Sequence, residues 1–126
     1  MKKFIITIIL LSIFPISYAS NWCTRENSLE VKNISNFVYE LISQKRSQIS
    51  NPLDKYLFTK AIFSHIFEIK SRSKNDIITC SISGVWYRLN WDIIWLTKQI
   101  DISSLKFKLL PQDIQQNILD SKNTIY

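Results

Sequence analysis

A chain of 126 residues that contains a single glycine, Gly84, has little with which to build a sheet. Hairpins rely on residues that accept positive φ, glycine above all, at short intervals. Prolines are also few, at Pro15, Pro52 and Pro111. So few turn formers predict helices joined by few connections. The expected fold is all-α: a small bundle of about four to five helices, closed by one disulfide. No internal repeat or low-complexity stretch is visible.

One stretch points both ways. Ile78, Cys80, Ile82 and Gly84 alternate with Thr79, Ser81 and Ser83, which is the period of a strand. An α+β fold with a strand near 77–86 is therefore the alternative. A lone strand needs a partner, and no other segment alternates in this way, so the helical reading is preferred. Asp76 suits the start of such a helix.

The remaining elements follow from periodicity. A first helix is expected from Leu29 to Ile49, with Ile34, Phe37, Val38, Leu41 and Ile42 as its buried stripe. Asn51-Pro52 ends it, because the residue before proline is pushed out of the helical region. A second helix runs from Pro52 to Lys70. It is apolar around much of its circumference, which predicts the central position. Lys70 to Asn75 form a basic polar connector, read as a solvated linker in preference to an anion-binding loop. Asn90 can cap a fourth helix through Ile100. Leu105 to Leu110 reads as short, extended or helical. Pro111 opens a last helix that buries Ile114, Ile118 and Leu119, and Ser121 to Tyr126 should fray.

The amino terminus reads as an export signal. Met1-Lys2-Lys3 is positive, Phe4 to Phe14 is apolar apart from Thr7 and Ser12, and Pro15 ends any helix. Ser17 and Ala19 place small residues at the −3 and −1 positions of a cleavage site. The apolar run is about half the ~20 residues needed to cross a bilayer. Cleavage after Ala19 leaves residues 20–126 as one helical domain, periplasmic or secreted. Ser20-Asn21-Trp22 ahead of Cys23 is unlike a lipid-attachment site, so no membrane anchor is expected after cleavage.

Charge and cysteine content narrow the class further. The formal net charge of +6 falls to +4 once Lys2 and Lys3 leave with the signal. The remaining cations are scattered, which argues against a nucleic-acid partner. Cys23 and Cys80 are the only cysteines, and in an exported chain they are expected to pair. A metal site would need more ligands than the lone histidine, His65, supplies.

Chemistry-bearing motifs are scarce. His65 sits among Ile62, Phe63, Ile66 and Phe67 and reads as a packed or partly exposed residue rather than a proton-transfer group. Nucleophilic catalysis by Cys80 with His65 would need a free thiol. No metalloprotease, nucleophile-elbow, phosphate-loop or calcium-loop pattern is present, and no cofactor is expected. Asp54, Glu68 and Asp92 are dispersed.

The densest feature is Trp86-Tyr87-Arg88-Leu89-Asn90-Trp91-Asp92-Ile93-Ile94-Trp95. It carries three of the four tryptophans. Tyr87, Trp91 and Trp95 are spaced by four, so on a helix they form one ridge. Such rings fill the core of small domains. Trp, Tyr and Arg are also enriched where proteins dock on partners, and aromatic faces stack on sugars. Trp86, Tyr87, Arg88, Trp91 and Trp95 are therefore the candidate binding residues. At least one of Trp91 and Trp95 is expected to be exposed.

The layout resembles small periplasmic immunity proteins, particularly those that guard against type VI secreted cell-wall amidases. The shared features are a signal peptide, about a hundred helical residues, and a cysteine pair with one member near the mature amino terminus (Cys23) and one far downstream (Cys80). Trp22-Cys23 is also similar to the start of periplasmic acid-stress chaperones, which are shorter chains. The first resemblance implies a non-catalytic inhibitor or immunity factor whose partner is a toxin or hydrolase. A sugar-binding or catalytic envelope domain and a periplasmic chaperone are the alternatives.

Overall fold

The computed structural model describes Cys23 and residues 28–124; the expected signal peptide, residues 1–19, lies outside the described residues. Five helices follow one another: α1 (Leu29–Ser47), α2 (Pro52–Arg72), α3 (Asp76–Thr97), α4 (Leu105–Lys108) and α5 (Gln112–Lys122). No strand occurs among the described residues, and no helix there is long and apolar enough to cross a membrane. Cys23 and Cys80 are joined by a disulfide with their Cα atoms 4.7 Å apart.

Local chemistry sets the helix starts. Ser28, Asn51, Asn75 and Ser104 stand in extended conformation and accept hydrogen bonds from the first free amides of α1, α2, α3 and α4. Such caps satisfy donors that have no intrahelical partner and contribute about 1 kcal/mol each. Pro52 occupies the first turn of α2, where its missing N–H costs nothing.

The segment with strand-like alternation is helical, and α3 runs on without a break through the aromatic segment. Asn90 is therefore an interior residue of α3 and not the cap of a separate helix. The central position also belongs to α3, not to α2. It packs against α1, α2 and α5, while α1 and α2 touch little. A helix with neighbours on several sides shows no single apolar stripe, which is why its sequence imitates other patterns.

The buried face of α1 is rotated from the expected one. Val31 and Ser35 are buried, and Val38, Tyr39 and Ile42 pack on the core. Phe37 and Leu41 are exposed instead. Small side chains make the difference: Ser35 Oγ donates to the carbonyl of Ser81, and Gly84 lies directly over it.

Two clusters form the core. At the end where α2 begins and α3 finishes, Leu53, Tyr56, Ile93, Leu96, Ile100, Phe107 and Ile118 meet, with Ile114 and Leu119 of α5 against them. Toward the start of α3, Ile66, Ile82, Val85 and Leu89 meet. Phe63 packs against both. The last helix is ordered further than expected. Ser121 and Lys122 remain helical, and Lys98 Nζ donates to the carbonyls of Lys122 and Thr124 at 3.0 and 2.8 Å.

A polar tie holds α1 to α3. Arg46 Nη2 lies 3.0 Å from Asp92 Oδ2, which also accepts a hydrogen bond from Tyr39 Oη. The pair is largely shielded from solvent, so it is worth more than the exposed Lys106–Asp54 pair at 2.8 Å between α4 and α2.

Candidate functional site

The circumference of α3 divides into three sectors. Ser81, Gly84, Arg88 and Asp92 meet α1. Ile82, Val85, Leu89 and Ile93 belong to the core shared with α2. The third sector carries Tyr87, Trp91 and Trp95, whose spacing of four residues stacks them along one side of the helix. They are 61%, 46% and 66% exposed. The sequence places three large rings where neither α1 nor α2 covers them.

Trp86 departs from this group. It turns toward α2, where its ring stacks on Phe63 at 5.2 Å and lies 6.4 Å from Phe67. Lys70 Nζ sits 4.9 Å from its ring centre, so one cation of the basic connector is engaged intramolecularly. The indole Nε1 is buried with no hydrogen-bond partner among the described residues. Of the five candidate residues, then, Tyr87, Trp91 and Trp95 share the outer side of α3, Arg88 borders it against α1, and Trp86 packs on α2.

Arg88 is held in a fixed position. Its guanidinium lies over the Tyr39 ring at 3.7 Å, and Nη1 donates to Asn36 Oδ1 at 3.0 Å. A side chain pinned at two points loses little freedom on meeting a partner. Neither Asn36 nor Tyr39 carried a signal of this role in the sequence. Gly84, interior to α3, is a residue type that could have pointed to the tight contact with Ser35 of α1.

Two hollows flank the ridge. A cleft of about 340 Å³ lies between α1 and α3 beside the disulfide, bounded by Lys32, Asn36, Gly84, Tyr87 and Arg88. A second, of about 380 Å³, is formed by Trp91, Ile94, Trp95 and Lys98. Tyr87 belongs to the first and Trp91 to the second, so ridge and hollows make one continuous surface. A wider, shallow groove of about 730 Å³ lies on the α2 side, where His65, Glu68 and Lys60 surround Trp86 and the two phenylalanines.

His65 is exposed there, and Cys80, joined to Cys23, offers no thiol. Asp54 and Asp92 are engaged with Lys106 and Arg46. Among the described residues, no three His, Cys, Asp or Glu side chains cluster as a metal site would require. Comparison of the chain with protein families, with curated proteins and with solved structures finds no match.

Proposed function

We propose that this chain is an exported, non-catalytic binding protein that docks through the outer side of α3, most plainly as an immunity factor or inhibitor that blocks a cell-wall-directed enzyme. The observation that carries the reading is the exposed ridge of Tyr87, Trp91 and Trp95. Isolated exposed apolar residues are ordinary, but contiguous large rings with an arginine alongside are typical of interface centres. The Cys23–Cys80 disulfide supports an oxidising compartment, in keeping with the export signal read in the sequence. It also stiffens the docking surface, which lowers the entropic cost of association.

The test uses the exported protein and its Trp95→Ala variant as baits against an envelope extract. A cell-wall hydrolase retained by the first and lost from the second, and inhibited by the first in a peptidoglycan-digestion assay, is the expected result. Equal retention by both, or a captured enzyme that remains fully active, overturns the reading. A second reading has its own observation: Trp91 and Trp95 line a hollow with an exposed edge, as sugar-stacking rings do. Saturable binding to purified peptidoglycan with no protein present would replace the first reading with this one.

A further inference from the structure

Among the described residues that line it, the cleft between α1 and α3 carries only positive charge. Lys32 and Arg88 stand on its opposite walls, and no aspartate or glutamate is among the described residues that bound it. Two acids flank it along α3: Asp76, one turn before Cys80 with its Oδ1 4.0 Å from the Cys80 sulfur, and Asp92, one turn past Arg88 and paired with Arg46 and Tyr39. Lys32 and Arg88 form no ion pair among the described residues. Arg88 has five N–H donors, and its contact with Asn36 uses one nitrogen. Its plane is set by the Tyr39 ring beneath it. Its floor is the helix crossing itself, where Gly84 packs on Ser35. At the far end of the ridge, the described residues that line the hollow at Trp95 again include a cation, Lys98, and no acid.

We propose that this cleft seats a carboxylate carried on a loop of the protein partner. Arg88 is its fixed fork-shaped donor and Lys32 its second cation, while the ridge from Tyr87 to Trp95 covers the apolar surface around the loop. The proposal rests on the docking reading above and names the chemistry of its partner: an acidic loop set in an apolar surround. The cleft, at about 340 Å³, has room for a few side chains and is too small for a folded element. Its continuity with the aromatic ridge favours a carboxylate attached to a protein over a free anion. An arginine already held in plane binds a carboxylate bidentately without first losing its own freedom.

The probe is a capped tripeptide, acetyl-Gly-Glu-Gly-amide, titrated at millimolar concentration into the disulfide-bonded exported protein and followed by amide NMR. The chain has one glycine in it, so the Gly84 resonance reports on the cleft floor without ambiguity. Saturable shifts of the Gly84 amide and the Arg88 Nε–H are expected with the Glu peptide and not with its Gln counterpart. Arg88→Gln should abolish them. Lys32→Gln, which disturbs no described hydrogen bond, should weaken them several-fold. No saturable shift, or equal shifts from the Gln peptide, overturns the proposal. So does a response to inorganic phosphate alone, which would mark a free-anion site. The envelope capture described above separates the two ideas. If Trp95→Ala loses the partner while Lys32→Gln and Arg88→Gln keep it, the carboxylate proposal falls and the docking reading stands. If the Glu peptide binds but no variant alters capture, the cleft has no protein occupant and the proposal falls with the docking reading.

Discussion

Gly84 of α3 lies so close to Ser35 of α1 that a Cβ on the glycine would stand 2.8 Å from the serine Oγ. That hydroxyl donates to the carbonyl of Ser81, one turn earlier on α3, and is buried. The two helices therefore cross on three small residues. The crossing sets how deep the cleft beside it can be.

Substitution at this crossing should be graded by size. Gly84→Ala gains about 1 kcal/mol of helix propensity but displaces the Ser35 hydroxyl, whose hydrogen bond contributes about 0.5–1.5 kcal/mol. The net change is expected to lie within about 1 kcal/mol. Gly84→Leu overpacks the crossing and should cost at least ~3 kcal/mol, the upper end for such insertions. In the Ser35→Ala background the nearest atom to the new methyl is the residue 35 Cβ, 3.6 Å away, an ordinary contact. Gly84→Ala should then stabilise, by up to about 1 kcal/mol. Urea melts of the parent and the four variants decide it; a Gly84→Leu variant as stable as the parent would show that the helices do not approach here.

This crossing also explains what could and could not be read from the sequence. The scarcity of glycine and proline was enough for the all-α class, and the cysteine count was enough for the pairing of Cys23 with Cys80. The face of α1 was not legible, because its contact with α3 is made by Ser35, and a scheme that seeks apolar residues passes over a buried serine. The apolar spacing points to Phe37 and Leu41 in its place, and both are exposed. The continuity of α3 was obscured because Ser81 and Gly84 serve α1, while Ile82, Val85 and Leu89 serve the core shared with α2 and Thr79 bonds Ser73 at the end of α2. At the site, the spacing of Tyr87, Trp91 and Trp95 was legible as a ridge. The inward turn of Trp86 and the fixing of Arg88 by Asn36 and Tyr39 depend on helix placement, which no local pattern encodes.

Removing the disulfide should be costly but need not unfold the protein. The bridge closes a loop of 57 positions and ties the chain ahead of α1 to a buried position of α3, where Cys80 is 2% exposed. Chain-entropy arguments give about 4 kcal/mol for such a loop, and measured losses run about 2–5 kcal/mol. Against a total of about 5–15 kcal/mol for a domain of this size, a folded but weakened protein is expected. The Cys23→Ala/Cys80→Ala pair should therefore show a lower denaturation midpoint with helical content retained. Thiol labelling of the unfolded, unreduced parent should find no free sulfhydryl.

Stability should fall at alkaline pH through Tyr56. Burial among Leu53, Ile93, Leu96 and Phe107 raises its phenol above the ordinary value of 10.0. A group whose pKa is higher folded than unfolded supports the fold fully below its unfolded pKa. That support is lost as pH rises from about 10 through the folded value. Tyr56→Phe removes the titrating group and keeps the ring. It should flatten the stability profile above pH 10 while changing little at pH 7. An unchanged alkaline profile in the variant would place the responsible group elsewhere.

The tryptophans should separate by role when each is truncated. Trp95 is 66% exposed, so its removal takes few contacts from the fold, and Trp95→Ala should shift stability by no more than about 0.5 kcal/mol. Trp91, 46% exposed and partly engaged with its surroundings, should cost about 1 kcal/mol. Trp86 is different. It stacks on Phe63, touches Phe67 and carries Lys70 on its face, so Trp86→Ala opens the junction of α2 and α3 and should cost about 3 kcal/mol or more. Acrylamide should quench Trp95 efficiently and Trp86 poorly, checked in variants that keep one of the two. On binding, the order reverses: an exposed ring at an interface centre typically costs at least ~2 kcal/mol of affinity when truncated. Trp95→Ala should thus weaken partner binding at nearly unchanged stability. Should Trp95→Ala instead lose several kcal/mol in a urea melt, the ridge is part of the folded core, and the docking surface must be sought in the α2 groove around His65 and Glu68.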